Sequence, residues 1–233
     1  MVNIVKLDRE AHGALRVDNA VSARYGDNQR FVPVLIREFP FLTAQYPVLV
    51  GKNSETGALY CGTVLGFDDG ENLFLADHGA QTAYRPLHLR RLPFYAAGTD
   101  LAIDLDHPRL GAEGRSLFDA DGKPSDYLET IAAIFRELHD GTEETQAFLA
   151  RLVELKLIEP VEFDLAFDDG NRRQVTGLYT VDQEALQALP DADALDLFRR
   201  GWLQAAYLLS ASLKQIPLLA QRKNRQWLEP SMA

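Results

Sequence analysis

The sequence predicts an α+β protein, with a β-rich first half carrying an antiparallel sheet and a helical second half. Three observations carry this reading. Short β-branched apolar runs, separated by prolines and by Asp-Gly or Ser/Thr-Gly turns, fill the front of the chain. Apolar periodicity of the helical kind, with capping residues, begins near Ser125. One alternating strand pair, around DDGNR, lies among the helices.

In order, Phe31 to Ile36 (FVPVLI) and Tyr46 to Val50 (YPVLV) read as strands. Pro33, Pro40 and Pro47 confine them to sheet edges or strand starts, because proline donates nothing to a ladder. NSETG at Asn53 to Gly57 is a turn, Ala58 to Phe67 (ALYCGTVLGF) a strand, and DDGEN at Asp68 to Asn72 a second turn, after which Leu73 to Ala76 continues the pattern. Asp100 to Leu105 is a further apolar run, followed by the irregular stretch HPRLGAEGRSLFDADGKPSD. Ser125 or Asp126 caps a helix over Tyr127 to Leu138, and His139-Asp140-Gly141 stops it. Thr142 caps a second helix to Leu157, with Phe148, Leu149, Leu152, Val153 and Leu155 on its buried face. VEFDLAF and QVTGLYTV form a hairpin, completing a helix–helix–hairpin unit. A short helix, Asp182 to Leu189, closes at Pro190. The final long helix runs from about Asp193 to Gln215 and stops before Pro217, and the tail QRKNRQWLEPSMA is expected to fray. Residues 1–233 read as a single domain with a weak internal boundary near 111–124.

The 233 residues are enough for a substantial core, and the hydrophobic share of 46% with 25% charged residues excludes a disordered chain. A net charge of -10 repels phosphate backbones and anionic membrane surfaces, so no nucleic-acid partner is expected. Lys6, Asp8, Arg9 and Glu10 interrupt the N-terminus too early for a signal peptide. No stretch approaches the ~20 apolar residues of a membrane span. The nearest, Trp202 to Leu213, is interrupted by Gln204, Ser210 and Ser212. Cys61 alone forms no intramolecular disulfide and fits a reducing compartment. The expected location is the cytoplasm.

Several stretches recur together as a signature: YPVLV, then ETG, LGFDDGENLF, and a Tyr-x-Pro-x-x-x-Arg-Arg-x-Pro-Phe run ending at Phe94. EGRSLFDADGKPS, GLYTVDQEALQAL and RRGWLQAAYLLSASLKQI follow. In this order, over nearly the whole chain, they resemble the SapC-like family of bacterial proteins. That name comes from an association with surface-layer genes and is shared with an unrelated peptide-transport permease, which this sequence without apolar spans does not fit. Family members are often found near genes for outer-membrane receptors and tryptophan-halogenase-like flavoproteins. The resemblance therefore implies an accessory role in nutrient uptake or peptide modification, and it carries over no catalytic residue.

The segment TAYRPLHLRRLPF raises the question of what Arg90 and Arg91 do in an apolar setting. Adjacent residues diverge on a strand or a helical turn, so one site takes only one of them. A structural ion pair is the expected role, because a buried guanidinium needs an acidic partner. The other role is an anion- or partner-binding surface, with Tyr84, Pro86 and Phe94 as its apolar wall. Glu113, Arg115 and Phe118, on the irregular stretch, extend that candidate surface.

Candidate chemistry elsewhere is sparse. DDGEN and DDGN read as turn residues. Asp104, Asp106 and His107 are the acid–base candidates, and Asp119 and Asp121 form a second acidic pair. His12, His78, His88, His107 and His139 show no metal-ligand spacing, and no loop matches an EF-hand, so no metal is expected. GFDDGENLF and GAEG lack the glycine spacing and lysine of a phosphate loop, and no cofactor is expected. Cys61, mid-strand, reads as a buried structural thiol. The first expectation is thus a non-catalytic accessory or binding protein with a protein or peptide partner. The alternative is an enzyme acting on a peptide or amino acid, with Asp104, Asp106 and His107 as an acid–base or metal-ligand site. A third, a winged-helix-like nucleic-acid binder with Arg172 and Arg173 on its wing, conflicts with Glu143, Glu144 and Glu154 on the would-be recognition helix.

Overall fold

The computed structural model describes residues 3–75, 84–168 and 170–228. Proline and glycine punctuation leaves short elements at the front. β1 (Ile4–Lys6), a one-turn helix α1 (Arg9–His12) capped by Asp8, and β2 (Arg16–Val17) come first. β3 (Phe31–Pro33) ends on its proline, and Pro40 lies in the opening turn of α2 (Phe39–Leu42), where the missing N–H would be unpaired anyway. β4 (Val48–Lys52) and β5 (Leu59–Val64) flank the NSETG turn, in which Asn53 Oδ1 accepts the N–H groups of Glu55 and Thr56. Next come α3 (Leu87–Arg90), β6 (Phe94–Ala97), β7 (Asp100–Asp104), and the two-residue strands β8 (Leu110–Gly111) and β9 (Arg115–Ser116). The rest is α4 (Asp126–Glu154), β10 (Ile158–Ala166), β11 (Arg172–Val181), α5 (Gln183–Gln187), α6 (Asp191–Arg199), α7 (Trp202–Ala211) and α8 (Gln215–Leu228). The α+β organisation is the one the sequence predicts.

The chain divides into two compact units, each drawn from two separated stretches. The first takes the described residues up to Asn28 with Leu87–Asp140; the second takes Gln29–Pro86 with those from Gly141 onward. The first unit holds two three-stranded antiparallel sheets, ordered β1-β7-β6 and β8-β2-β9. The second holds one five-stranded antiparallel sheet, ordered β10-β11-β4-β5-β3. Its core joins Leu49, Val64, Phe67, Leu73 and Phe167 to Ile216 and Leu219 of α8. Phe148 meets Phe39 edge-on at 6.4 Å and Trp202 at 6.1 Å, tying α4, α2 and α7 together.

Three boundaries differ from expectation. The two helices expected on either side of Gly141 are one, α4, so the helix–helix turn of the winged-helix outline is not formed. Buried positions Leu128, Ile131, Ile134, Leu138, Gly141, Thr145, Phe148 and Leu152 keep one helical stripe through the glycine. Gly141 is there for space: a Cβ would lie 2.5 Å from Leu35 Cδ1. The single final helix becomes α6, a break at Gly201, and α7, while α8 runs through Pro217 and takes in much of the tail. Pro217 falls in the first turn of α8, where no helical N–H partner is lost. Ile216 and Leu219 then anchor α8 in the core, which accounts for an ordered helix where fraying was expected. Finally, Leu73 to Leu75 form a turn and not a strand, since Leu73 N–H returns to Leu65 O and Asn72 closes the bend. Ala76 and His78 lie outside the described residues.

Candidate functional site

A polar cleft forms in the second unit, where the LGFDDGENLF loop meets the hairpin tip and α8. Glu71 folds back under its own loop: Oε2 accepts the N–H groups of Phe67 at 2.7 Å and Asp68 at 3.2 Å. Gly66 makes this possible, since a Cβ there would lie 2.7 Å from Glu71 O. Lys223 reaches in from α8 and donates to Glu71 Oε1 at 2.7 Å and Asp68 Oδ2 at 2.5 Å. Arg173 Nε, from β11, donates to Asp68 Oδ1 at 3.0 Å. Beneath them lies the buried ring of Phe167, with Lys223 Nζ 5.5 Å from its centroid. Asn171, Asn224 and Gln226 complete an open cleft of about 280 Å³. The hydrogen bond from Lys223, and then that from Arg173, hold the Asp68 carboxyl below its ordinary range against partial burial. Burial opposes charge on Lys223, but its bonds to Asp68 and Glu71 outweigh this and raise its pKa.

A second feature of this unit is aromatic. Phe41 on α2 stacks on Tyr84 with centroids 5.2 Å apart and planes 17° from parallel. Tyr84 donates its hydroxyl to Glu38 Oε1 at 3.2 Å, and the buried Glu38 accepts Leu35 N–H through Oε2 at 2.9 Å. Thus Tyr84, a sequence candidate, is fixed from below while Phe41 remains 59% exposed.

Tyr84 and Pro86 belong to the second unit, whereas Arg90, Arg91, Phe94, Glu113, Arg115 and Phe118 belong to the first. Among the described residues neither Arg90 nor Arg91 forms an ion pair, which corrects the expected role. Arg91 donates to Phe94 O at 2.7 Å and stacks over Tyr95 at 4.9 Å; burial pulls its pKa below the ordinary value. Phe94 is fully buried and walls no open site. His88 beside them is pushed down to about 4, by burial and then by Arg91. Glu113 and Arg115 are exposed, Arg115 within β9, and Phe118 is half-buried and bridges to Pro124.

The buried ion pair of this unit is instead Arg109 with Asp27, at 2.6 Å, both essentially inaccessible. Arg109 also donates to Asp18 O at 2.9 Å and Ala20 O at 2.7 Å and lies over the Tyr25 ring. Asp27 Oδ2 accepts Ser22 N–H, so one guanidinium fastens the whole 18–27 loop. Of the acid–base candidates, His107 touches this structure. Asp104 is buried and accepts the N–H groups of Asn3 and Asp106 through Oδ1. Asp106 is exposed, and His107 Nδ1 accepts Arg109 N–H at 3.2 Å. Burial, then Arg109, lowers the His107 pKa. Asp119 Oδ1 accepts Lys123 N–H in a tight turn. Cys61 is buried in β5, and burial pushes its thiol up, away from thiolate chemistry. No group of three or more metal-ligating side chains converges among the described residues.

Sequence reasoning read Asp68 and Glu71 as turn residues and Arg173 as a wing residue, and it missed both their convergence with Lys223 and the Asp27–Arg109 pair. For Lys223 a signal existed: Ile216, Leu219, Ala220 and Lys223 continue one helical stripe past Pro217. For Asp27 and Arg109, 82 positions apart with the 29–86 stretch of the second unit between them, none did.

Fold and sites together define an α+β protein of two interleaved units, with a charge-balanced polar cleft and an anchored surface aromatic pair in one of them. The chain belongs to the SapC family, whose match spans residues 7–219. No curated protein and no solved structure matches it. Among the described residues no helix is long and apolar enough to cross a membrane.

Proposed function

We propose that this SapC-family chain is a non-catalytic accessory protein that acts in the cytoplasm by engaging a protein or peptide partner. The observation that supports this reading is the Phe41–Tyr84 stack. An aromatic left largely in water, on a short helix and over a tyrosine tethered to a buried carboxylate, is a preorganised contact of the kind that dominates protein interfaces. The hydrogen bonding of Asp104 and His107 favours structural over catalytic work for both. One buried thiol suits a reducing compartment. The genomic neighbours that the family resemblance implies point to a partner in nutrient uptake or peptide modification.

The test is affinity capture from the host's own lysate at low salt, read by native mass spectrometry. A stoichiometric protein partner is expected with the unaltered chain. Phe41→Ala should reduce its retention at least about tenfold, equivalent to ~1.4 kcal/mol. Its melting temperature should hardly move, because an exposed ring carries little folding stability. Equal retention by Phe41→Ala would remove the aromatic pair from the interface. A bound metabolite or metal without a protein partner would overturn the accessory reading.

A further inference from the structure

We propose that the cleft formed by Asp68, Glu71, Phe167, Arg173 and Lys223 is a binding site for a free α-amino acid. Hydrogen-bond capacity is the starting point. Asp68 accepts one bond on each oxygen, from Arg173 and Lys223, and a carboxylate offers about four acceptor positions. Arg173 uses only Nε; its terminal nitrogens bond to none of the described residues, and its side chain is 48% exposed. Lys223 has engaged two of its ammonium protons, with Asp68 and Glu71. The cleft therefore keeps unused acceptors on one carboxylate, directly beside unused donors on the guanidinium it touches.

A ligand that satisfies both must bring a cation and an anion close together. An α-amino acid carries its ammonium and carboxylate on one carbon, matching the contact distance between Asp68 and Arg173. The ammonium would meet Asp68, and the carboxylate would take the planar fork of Arg173, the geometry in which arginine holds carboxylates best. The Phe167 ring beneath offers a surface for an apolar side chain.

Size and charge narrow the class further. A volume of about 280 Å³ stands at the small end of the ~300–1,000 Å³ range of small-molecule sites. Two carboxylates against two cations leave the lining neutral, which disfavours nucleotides and polyamines alike. Glu71, locked by two backbone N–H groups and by Lys223, keeps the loop rigid, so the site is organised before the ligand arrives. This site is separate from the Phe41–Tyr84 surface and does not depend on the partner reading.

The experiment uses the full chain with each common α-amino acid to about 10 mM, followed by calorimetry and by amide NMR shifts. At least one should bind saturably and shift the amides of Asp68, Glu71 and Arg173. For the best binder, the N-acetyl derivative, the α-amide and the ω-amino isomer should each bind at least about tenfold more weakly. Arg173→Gln should lose affinity by a similar factor at unchanged melting temperature, while Phe41→Ala binds normally. Lack of saturable binding by any α-amino acid would overturn the proposal. So would equal binding of the N-acetyl form, which would leave a carboxylate site only, or retention by Arg173→Gln. Loss of partner capture with amino-acid binding intact would count against the partner reading alone.

Discussion

At the scale of single residues, the largest stability effect belongs to Asp27 and Arg109. The pair is inaccessible to solvent, and Arg109 serves two backbone carbonyls besides the carboxylate. Removing one member of such a pair leaves the other charged and buried, a loss of about 3–5 kcal/mol. Asp27→Asn is expected to cost on this scale in urea unfolding, and Arg109→Met as much. The double replacement Asp27→Leu with Arg109→Met should cost clearly less than the two singles added, because no lone charge remains, although the Asp18 and Ala20 carbonyls and the Ser22 N–H lose partners. Additive losses would show that the pair is not coupled. Here the sequence was a poor guide. Arg90 and Arg91 drew attention as adjacent charges in an apolar run, yet Arg91 is satisfied by a carbonyl and a ring. Arg109 sits in an irregular stretch with no periodicity to betray burial, and its partner is 82 positions away. A long-range pair of this kind leaves no local signature.

At the scale of elements, legibility followed periodicity. The hairpin of β10 and β11 was readable because Val161, Phe163, Leu165 and Phe167 face inward past Glu162 and Asp164. The Asp182 cap of α5 was readable because its carboxylate accepts Ala185 N–H, as a capping residue should. Gly141 and Pro217 misled because each has two meanings. A glycine that stops a helix and one that admits Leu35 look alike, and only the unbroken stripe distinguishes them. The reach of α8 past Pro217 is what brings Lys223 to Asp68 and Glu71, and this latch has a pH signature. Asp68 is depressed, so its contribution is present above the ordinary carboxylate pKa and fades as pH falls through the folded value. Lys223 is raised above 10.5, so its contribution is complete below that value and is lost as pH rises through the folded one. Stability attributable to the latch should therefore be flat at neutral pH and fall at both ends. Lys223→Met should flatten the alkaline fall in urea midpoints measured from pH 8 upward. An alkaline limb identical in this variant would mean that Lys223 is not its source.

At the scale of the whole molecule, the order of the chain and the order of the fold disagree. The five-stranded sheet takes β3, β4 and β5 from one stretch and β10 and β11 from another, and the core of the second unit mixes Leu49 and Val64 with Phe167, Ile216 and Leu219. Sequence reading assigned residues to neighbouring elements because local pattern reports only neighbours; an interleaving of this kind depends on long-range pairing and is invisible to it. The consequence is specific. A fragment covering 141–233 carries the hairpin and α5 to α8, but it lacks β4, the strand on the other side of β11, and the apolar side chains that Phe167 and Ile216 cover. Few native proteins hold more than about 15 kcal/mol in reserve. Loss of the Leu49, Val64 and Leu73 side chains alone, each worth roughly 2–4 kcal/mol when deleted from a core, approaches that limit. The fragment is expected to show helical far-ultraviolet dichroism without a cooperative thermal transition or fixed aromatic signals. Co-expression with 29–86 supplies the missing strands and should restore both, since together they make up the whole second unit. A sharp transition in 141–233 alone would show that the helices and hairpin form an independent core, and would contradict the placement of Leu49 and Val64 at its centre.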